Sequence, residues 1–141
     1  MLKKYIMGLV LILPLVAFAA KPIVGQEPEI VIPKTIPQLI TYYSEKYKVS
    51  EDLMTDIIGC ETAHTFNPVM QSTVKYNFSS SKRGIVKGQQ ERSYGLAQIH
   101  LPDHPGVSYE QAIDKDFALD FMASNIAKGR VKMWSCYSLV R

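Results

Sequence analysis

The sequence predicts an α+β fold that is mostly α-helical and forms a single domain over residues 35–141. Its 141 residues are enough for one domain with one core and too few for two. Hydrophobic residues make up 47% and charged residues 21%, a balance typical of compact chains rather than disordered ones. Apolar residues recur at three- and four-residue spacing in several segments, and one long segment rich in Asn, Ser and Gly interrupts them.

The amino terminus has the pattern of an export signal. Lys3 and Lys4 precede an apolar run over 6–16, and an Ala-Phe-Ala sequence follows at 17–19. This pattern is typical of a cleavable secretory signal peptide over 1–19, with an uncleaved anchor as the alternative. The apolar run is shorter than the roughly 20 residues that span a bilayer. We therefore expect a periplasmic or secreted protein.

A proline-rich leader is predicted between the signal and the domain. The three prolines of residues 20–34 disfavour regular helix and favour an extended chain. Thr35 can cap the first helix, whose first turn tolerates Pro37. The apolar face of this helix consists of Leu39, Ile40, Tyr43 and Tyr47.

The second predicted helix carries a carboxylate where an apolar residue is expected. Ser50 can cap this helix, and its apolar stripe is Leu53, Met54, Ile57 and Ile58. The next residue on the stripe is Glu61. An average Glu would simply turn to water at the helix end. Because burial and the negative end of a helix both favour the uncharged form of an acid, Glu61 is our candidate for a proton donor.

Residues 64–94 carry mostly loop signals. Short alternating pieces at 74–78 and 84–86 can pair as a small hairpin. A loop region of this length inside a compact domain is usually functional.

The rest of the domain is predicted to be helical. Residues 93–99 can enter a short helix, which Pro102 would end. Ser108 and Gln111 form a capping box before another helix. The last long helix is predicted over 116–129, with a glycine as its stop.

The two cysteines, Cys60 and Cys136, both lie after the predicted signal. In an oxidising compartment, an even pair is most simply one disulfide. Such a bond would tie the end of the chain to its middle and contribute roughly 3 to 5 kcal/mol in the loop-entropy model.

The charge balance excludes nucleic acid as a partner. The net charge is +3, and Lys3 and Lys4 of the predicted signal account for two of these charges. The remaining excess is too small, and too dispersed, for the basic surface that phosphate binding needs.

Several short motifs occur in a fixed order along the domain. They are Glu61-Thr62, Phe66-Asn67-Pro68, Gly-Leu-Ala-Gln-Ile at 95–99, Asn125 with Gly129, and Trp-Ser-Cys-Tyr at 134–137. Behind an export signal, this set resembles the soluble lytic transglycosylase domain of the goose-lysozyme-like superfamily. The resemblance covers roughly residues 36–138. It implies a lysozyme-like single domain, with the irregular segment beside the cleft.

The sequence departs from that family at three of the motifs. Thr62 stands where the family has Ser, and Ala97 where it has Met, which would open the subsite that this residue lines. Cys136-Tyr137-Ser138 stands in place of Ala-Tyr-Asn, so only the Tyr carries over.

The resemblance implies cleavage of the β-1,4 bond between MurNAc and GlcNAc in peptidoglycan, with formation of a 1,6-anhydroMurNAc end. One glutamate, Glu61, would act as acid and then as base, without cofactor or metal. The implied partners are peptidoglycan glycan strands and a secretion, conjugation or phage assembly that spans the cell envelope. We expect a monomer.

The resemblance also implies roles for other residues. Tyr137 would hydrogen-bond Glu61 and position it, Gln98 would hold an N-acetyl group, and Gly95 would let the main chain approach a sugar ring. The further substrate-binding candidates are Thr62, Ser93, Leu96 and Asn125.

Other functions remain open from the sequence. Glu91 is a possible second carboxylate, which would make the protein a hydrolytic lysozyme, or muramidase. A wall-binding or assembly protein without turnover is the non-enzymatic alternative.

Cysteine and histidine spacings suggest two further alternatives. Cys60 and His64 are four residues apart, as are His100 and His104, but a proline between the latter two disfavours a helical zinc site. A cysteine peptidase with Cys60 as nucleophile predicts a free thiol there.

Overall fold

The structure, a computed structural model, describes residues 34–141, so the predicted signal peptide (1–19) and the leader up to residue 33 lie outside the described residues. This part of the chain contains four α-helices, a two-stranded antiparallel sheet and four short 3-10 helices, which confirms a mostly helical α+β fold. The helices and strands are α1 (Ile36–Tyr47), α2 (Glu51–Glu61), β1 (Ser93–Tyr94), β2 (Ile99–His100), α3 (Tyr109–Ile113) and α4 (Lys115–Ala127). The 3-10 helices are Ser81–Arg83, Leu101–Asp103, Val131–Met133 and Ser135–Ser138.

The first two helices begin where the sequence predicts. Thr35 caps α1 through a capping box with Gln38, and Lys48 ends the helix in a left-handed conformation, with φ 55°. The Ser50 hydroxyl caps α2 by accepting a hydrogen bond from the Leu53 N–H at 3.1 Å. The capped end of α1 and the capped start of α2 fix the direction of α2. They thereby also fix the position of Glu61, which lies at the carboxyl-terminal end of α2.

Side chains of all four α-helices, of the strand region and of Trp134 form one core. Helices α1 and α2 pack against each other, and α1 packs against α4. Fully buried residues include Leu39, Met54, Ile57, Leu96, Ile99, Leu119 and Met122. The core therefore joins the carboxyl-terminal half of α2 to the 93–100 segment.

Polar contacts reinforce the packing of α1 on α4. The Tyr43 hydroxyl donates a hydrogen bond to Asp116, and Asp120 accepts from Lys46 at 2.6 Å and from Tyr47 at 2.9 Å. Burial of the ring, together with the hydrogen bond to Asp116, raises the pKa of Tyr43.

Helix α4 is the longest α-helix of the described part, with 13 residues. No helix within 34–141 is long and apolar enough to cross a membrane.

Residues 93–99 do not form the predicted helix. They form β1, a turn and β2, with Ser93 opposite His100 and Tyr94 opposite Ile99. The turn contains two left-handed residues, Gly95 with φ 75° and Gln98 with φ 43°. A helix needs negative φ at every position, so this turn excludes it.

The long loop before β1 folds back on itself. Antiparallel bridges join Gln71 to Tyr94, Lys75 to Gln90 and Ser80 to Ile85. The predicted hairpin is thus present as isolated bridges rather than as continuous strands, and its arms pair in a different register. The two arms return to the carboxyl-terminal end of α2 and border the site described below.

The cysteines form the predicted disulfide. Cys60 in α2 is bonded to Cys136 in the last 3-10 helix, with a Cα–Cα distance of 5.8 Å. The bond holds the end of the chain beside the end of α2.

Candidate active site

An open cleft of about 450 Å³ lies at the carboxyl-terminal end of α2. The two arms of the long loop, the β-turn and the carboxyl-terminal segment contribute to its walls. Its polar lining residues are Glu61, Ser72, Thr73, Glu91, Ser93, Gln98, His100, Asp103 and Ser135. Such a lining offers many hydrogen-bonding groups and suits a hydroxyl-rich ligand better than an apolar one.

Glu61 is the last residue of α2 and faces this cleft. On the predicted apolar stripe of α2, Met54, Ile57 and Ile58 are fully buried and Leu53 is partly buried. Glu61 itself is half-buried and meets a polar surface rather than an apolar pocket. Ala63 and His64 follow in left-handed backbone, with φ 49° and 59°. The chain therefore leaves the helix abruptly and leaves the carboxylate on the cleft wall.

Two donors from the carboxyl-terminal segment hold one oxygen of Glu61. Its Oε1 accepts a hydrogen bond from the Cys136 N–H at 3.1 Å and one from the Ser135 hydroxyl at 3.3 Å. Within residues 34–141, no hydrogen bond reaches Oε2. In a protonated carboxyl, Oε1 is then the carbonyl oxygen and Oε2 carries the proton. This arrangement leaves Oε2 as the oxygen that can exchange a proton with a ligand.

A second carboxylate, Glu91, lines the same cleft. Its Oε2 accepts a hydrogen bond at 2.9 Å from the Ser72 hydroxyl, which itself accepts from the Val74 N–H at 3.2 Å. The Glu91 N–H donates to the Val74 carbonyl at 2.8 Å. Pairing between the loop arms thus fixes Glu91 in the cleft, instead of leaving it as a solvated loop charge.

A chain of hydrogen bonds braces the opposite end of the lining. The Tyr76 hydroxyl accepts from the Arg92 N–H at 3.0 Å and contacts His100 Nε2 at 2.8 Å. When the imidazole is neutral, we assign the Tyr76 hydroxyl as donor to His100 Nε2, so the ring proton is on Nδ1. His100 Nδ1 lies 2.8 Å from Asp103 Oδ2 and donates to it. Arg83 donates to the other oxygen of Asp103 at 2.6 Å. The Arg83 hydrogen bond, aided by His100, holds the pKa of Asp103 below its usual range.

Two predicted binding residues line the cleft with Glu61. The buried Ser93 lies in its wall at the start of β1. Gln98 also lines it, and its side-chain Nε2 donates to the Gly95 carbonyl at 2.9 Å. That bond leaves the Gln98 side-chain oxygen as an acceptor for a ligand.

Four predicted binding residues do not line the cleft and have structural contacts instead. Thr62 is fully buried, and its hydroxyl donates to the Ile58 carbonyl at 2.8 Å and accepts from the Phe66 N–H at 3.1 Å. Leu96 is fully buried in the core. Asn125, 7% exposed, bonds within and just beyond α4. The fourth residue is Gly95, which packs against the backbone of α3.

Gly95 is required by packing rather than by a ligand. A Cβ atom at this position would lie 1.9 Å from the Ala112 carbonyl oxygen, and its φ is 75°. Both the close approach of α3 and the left-handed backbone demand glycine here.

Tyr137 does not make the expected hydrogen bond to Glu61. Among the described residues, the donors to Glu61 are Ser135 and Cys136, the two residues that precede Tyr137 in the sequence. The Tyr137 ring instead lies 4.5 Å from the Arg141 guanidinium carbon, in a separate hollow. The departure from the family motif at 136–138 coincides with this change.

A second hollow of about 260 Å³ adjoins the cleft. The two share Gln98, His100, Asp103, Met133 and Trp134, and the second also reaches His104 and Phe121. Trp134 is fixed between them because its indole N–H donates to the Ala97 carbonyl at 2.8 Å. Burial lowers the pKa of His104. We refer to the two adjoining hollows together as the groove.

Five polar residues of the cleft lining were not predicted as catalytic or substrate-binding residues. They are Ser72, Thr73, His100, Asp103 and Ser135. The Ser135 hydroxyl donates to Glu61. The predicted disulfide is the sequence feature that could have indicated this contact, because a Cys60–Cys136 bond brings residue 135 close to residue 61. Ser72 supports Glu91, but no local pattern distinguishes this serine from the others of the loop.

The alternative chemistries find little support in the geometry. Within 34–141, no group of three His, Cys, Asp or Glu side chains is placed to hold a metal ion. Cys60 is disulfide-bonded and is not available as a nucleophile.

Comparison with known proteins finds no match for this chain among family models, curated proteins or solved structures. The resemblance to lytic transglycosylases therefore rests on its motifs, and the function must be inferred from the cleft.

Proposed function

We propose that the protein is a peptidoglycan lytic transglycosylase of lysozyme-like fold, with Glu61 as its catalytic acid and base. The observation that carries the proposal is the Glu61 carboxyl group in the wall of an open, polar groove, with one oxygen held by two donors and the other unpaired within the described residues. The order of motifs from Glu61 to Tyr137 adds independent support.

In the first step, Oε2 of Glu61 donates its proton to the glycosidic oxygen as the bond from that oxygen to the anomeric carbon breaks. The hydrogen bonds from Ser135 and Cys136 keep Oε1 in place while the carboxyl becomes a carboxylate, and they stabilise its new charge.

In the second step, the Glu61 carboxylate takes the proton of the muramic acid 6-hydroxyl. The 6-oxygen bonds to the anomeric carbon and closes a 1,6-anhydro ring. The glutamate is then protonated again, so one carboxyl serves both steps and no water is consumed.

Ser93 and Gln98 are the best-supported substrate contacts. Both line the groove with Glu61, and the Gln98 side chain is oriented by its bond to the Gly95 carbonyl. A side-chain amide oxygen can accept from the N–H of an N-acetyl group. Thr62, Leu96 and Asn125 have structural contacts instead, and we do not assign them to substrate.

Hydrolysis is the second candidate, because Glu91 lines the same cleft. A muramidase needs a second carboxylate as nucleophile or as the base that activates water. The hydrogen bond from the Ser72 hydroxyl would keep the Glu91 carboxyl group oriented. The product would then carry a reducing end instead of an anhydro ring.

One experiment tests both candidates. Purified peptidoglycan is digested with the protein and with Glu61→Gln, and the soluble products are identified by mass spectrometry. We expect anhydro products from the parent and a loss of about 100-fold or more in the variant. Products heavier by one water would establish hydrolysis, and full activity of Glu61→Gln would refute the assignment of the acid.

The matched control is Glu45→Gln, which makes the same change at an exposed position in α1. It should retain full activity. Equal losses in both variants would mean that the effect does not come from the cleft.

Export and a role beside an envelope-spanning assembly belong to the same proposal. They rest on the signal pattern at 1–19 and on the family resemblance. Fractionation of the producing cell tests the location directly.

A further inference from the structure

A basic hollow of about 460 Å³ lies beside the cleft, in the carboxyl-terminal segment. Its lining residues are Lys132, Trp134, Ser135, Tyr137, Ser138 and Arg141. Two cations and three hydroxyl groups thus face one space, which has the composition of a site for an anionic group.

Neither cation of the basic hollow is paired with an acidic side chain of the described residues. Within 34–141, neither Lys132 nor Arg141 forms a salt bridge, and no Asp or Glu lines the hollow. The Arg141 guanidinium is held over the Tyr137 ring, with 4.5 Å from its carbon to the ring centroid. That stacking leaves its N–H groups free to bind a planar carboxylate.

The neighbouring cleft offers an anionic group no cationic side chain. No lysine or arginine lines it, and Glu91 adds a carboxyl group to its wall. An anionic substituent is therefore repelled from the cleft and attracted to the basic hollow, so the two together can orient a ligand that has both an uncharged chain and a charged branch.

The two spaces adjoin at the position of the acid. Ser135 and Trp134 line both of them, and the Ser135 hydroxyl donates to Glu61 at 3.3 Å. A branch of a sugar bound at Glu61 has only to pass Ser135 to reach the hollow.

We propose that the basic hollow binds a carboxylate of the peptide stem on the sugar whose glycosidic bond lies at Glu61. The inference rests on the proposed function, since the glycan chain is uncharged and its peptide stems carry the carboxylates. Binding there orients the strand and makes the protein prefer peptide-bearing glycan to peptide-free glycan.

The test compares two substrates: soluble glycan strands with their peptide stems, and the same strands after an amidase has removed the stems and the lactyl carboxylates that this exposes have been capped as methylamides. The variant is Lys132→Glu combined with Arg141→Glu. We expect a KM about tenfold higher on peptide-bearing strands, with kcat retained and no change on peptide-free strands. Equal effects on both substrates would overturn the inference.

The control is Lys87→Glu combined with Lys128→Glu. These two lysines are exposed and lie outside both spaces, and the double variant has the same change in net charge. It should match the parent on both substrates. If it loses as much as the Lys132/Arg141 variant, the effect is one of overall charge and the inference is wrong. Thermal unfolding of each variant confirms that it is folded.

A binding measurement separates this inference from the proposed function. In the Glu61→Gln background, calorimetry should give tighter binding of peptide-bearing fragments than of peptide-free fragments, and the Lys132→Glu and Arg141→Glu changes should abolish the difference. If this pattern is found and the parent cleaves neither substrate, the proposed function fails and the basic hollow stands. Equal binding of both fragments overturns the basic hollow, whatever the activity.

Discussion

The main-chain N–H of Cys136 donates to Oε1 of Glu61, and the sulfur of Cys136 is bonded to Cys60, the residue just before Glu61. The same two segments are therefore linked twice, once covalently and once through the proposed acid. Since Ser135, the other donor to Glu61, belongs to the same 3-10 helix, the disulfide holds both donors at the carboxylate.

Removal of the disulfide should reduce both stability and activity. Cys60→Ala combined with Cys136→Ala releases a long loop, and we expect the free energy of unfolding to fall by about 3 to 5 kcal/mol. Activity measured well below the new melting temperature should also fall, because the donors to Glu61 are no longer held. Denaturant unfolding and muropeptide release are the measurements.

Reductant provides the control for that variant. It should inhibit the parent and leave the double variant unchanged, since no disulfide remains there. A parent that keeps full activity when mass spectrometry shows both thiols free would contradict a positioning role for the bond.

The Ser135 hydroxyl should contribute to catalysis through Glu61. Ser135→Ala removes one of the two hydrogen bonds to Oε1, and a net hydrogen bond of about 0.5 to 1.5 kcal/mol corresponds to a kcat roughly two- to tenfold lower. Ser81→Ala, at an exposed serine outside the cleft, is the matched control and should keep its kcat. A kcat unchanged in Ser135→Ala would remove Ser135 from the site.

Gly95 should be essential for folding rather than for binding sugar. In Gly95→Ala the new Cβ would meet the Ala112 carbonyl at 1.9 Å in left-handed backbone, so we expect a loss of about 3 kcal/mol in the free energy of unfolding. Gly106→Ala is the control, because nothing lies within 4 Å of its Cβ and its φ is ordinary. A stable Gly95→Ala protein with weak substrate binding would restore the family interpretation.

Local capping patterns predict the starts of α1, α2 and α3. Thr35, Ser50 and Ser108 each cap a helix through contacts within three residues, so the sequence alone contains the relevant information. The 93–99 segment was predicted wrongly because its left-handed turn is imposed from outside. The close approach of Ala112 to Gly95 comes from α3, more than ten residues away.

The candidate site likewise contains residues that local patterns predict and residues whose positions depend on distant parts of the chain. Glu61 was predictable because it interrupts an apolar stripe on its own helix. Its hydrogen-bond donors lie about 75 residues further along the chain, and a disulfide with an assumed partner was the one available indication of them. The placement of Tyr137 depends on the exact path of the last 3-10 helix, which no local pattern specifies.

The stability of the protein should fall as the pH drops below about 6.5, because of His104. Burial against the groove, where its ring meets Phe121 edge-on at 5.1 Å, lowers the pKa of His104 from the usual 6.5, while Asp103 opposes and His100 adds to the effect. Below pH 6.5 the imidazole of His104 is protonated in the unfolded chain but stays neutral in the folded protein. The contribution of His104 to the free energy of unfolding is therefore complete above pH 6.5. It is lost as the pH falls towards the lowered pKa of the folded state. The melting temperature, measured from pH 8 to pH 5, should therefore decrease less in His104→Gln than in the parent. Parallel curves for the two proteins would show that His104 is not responsible.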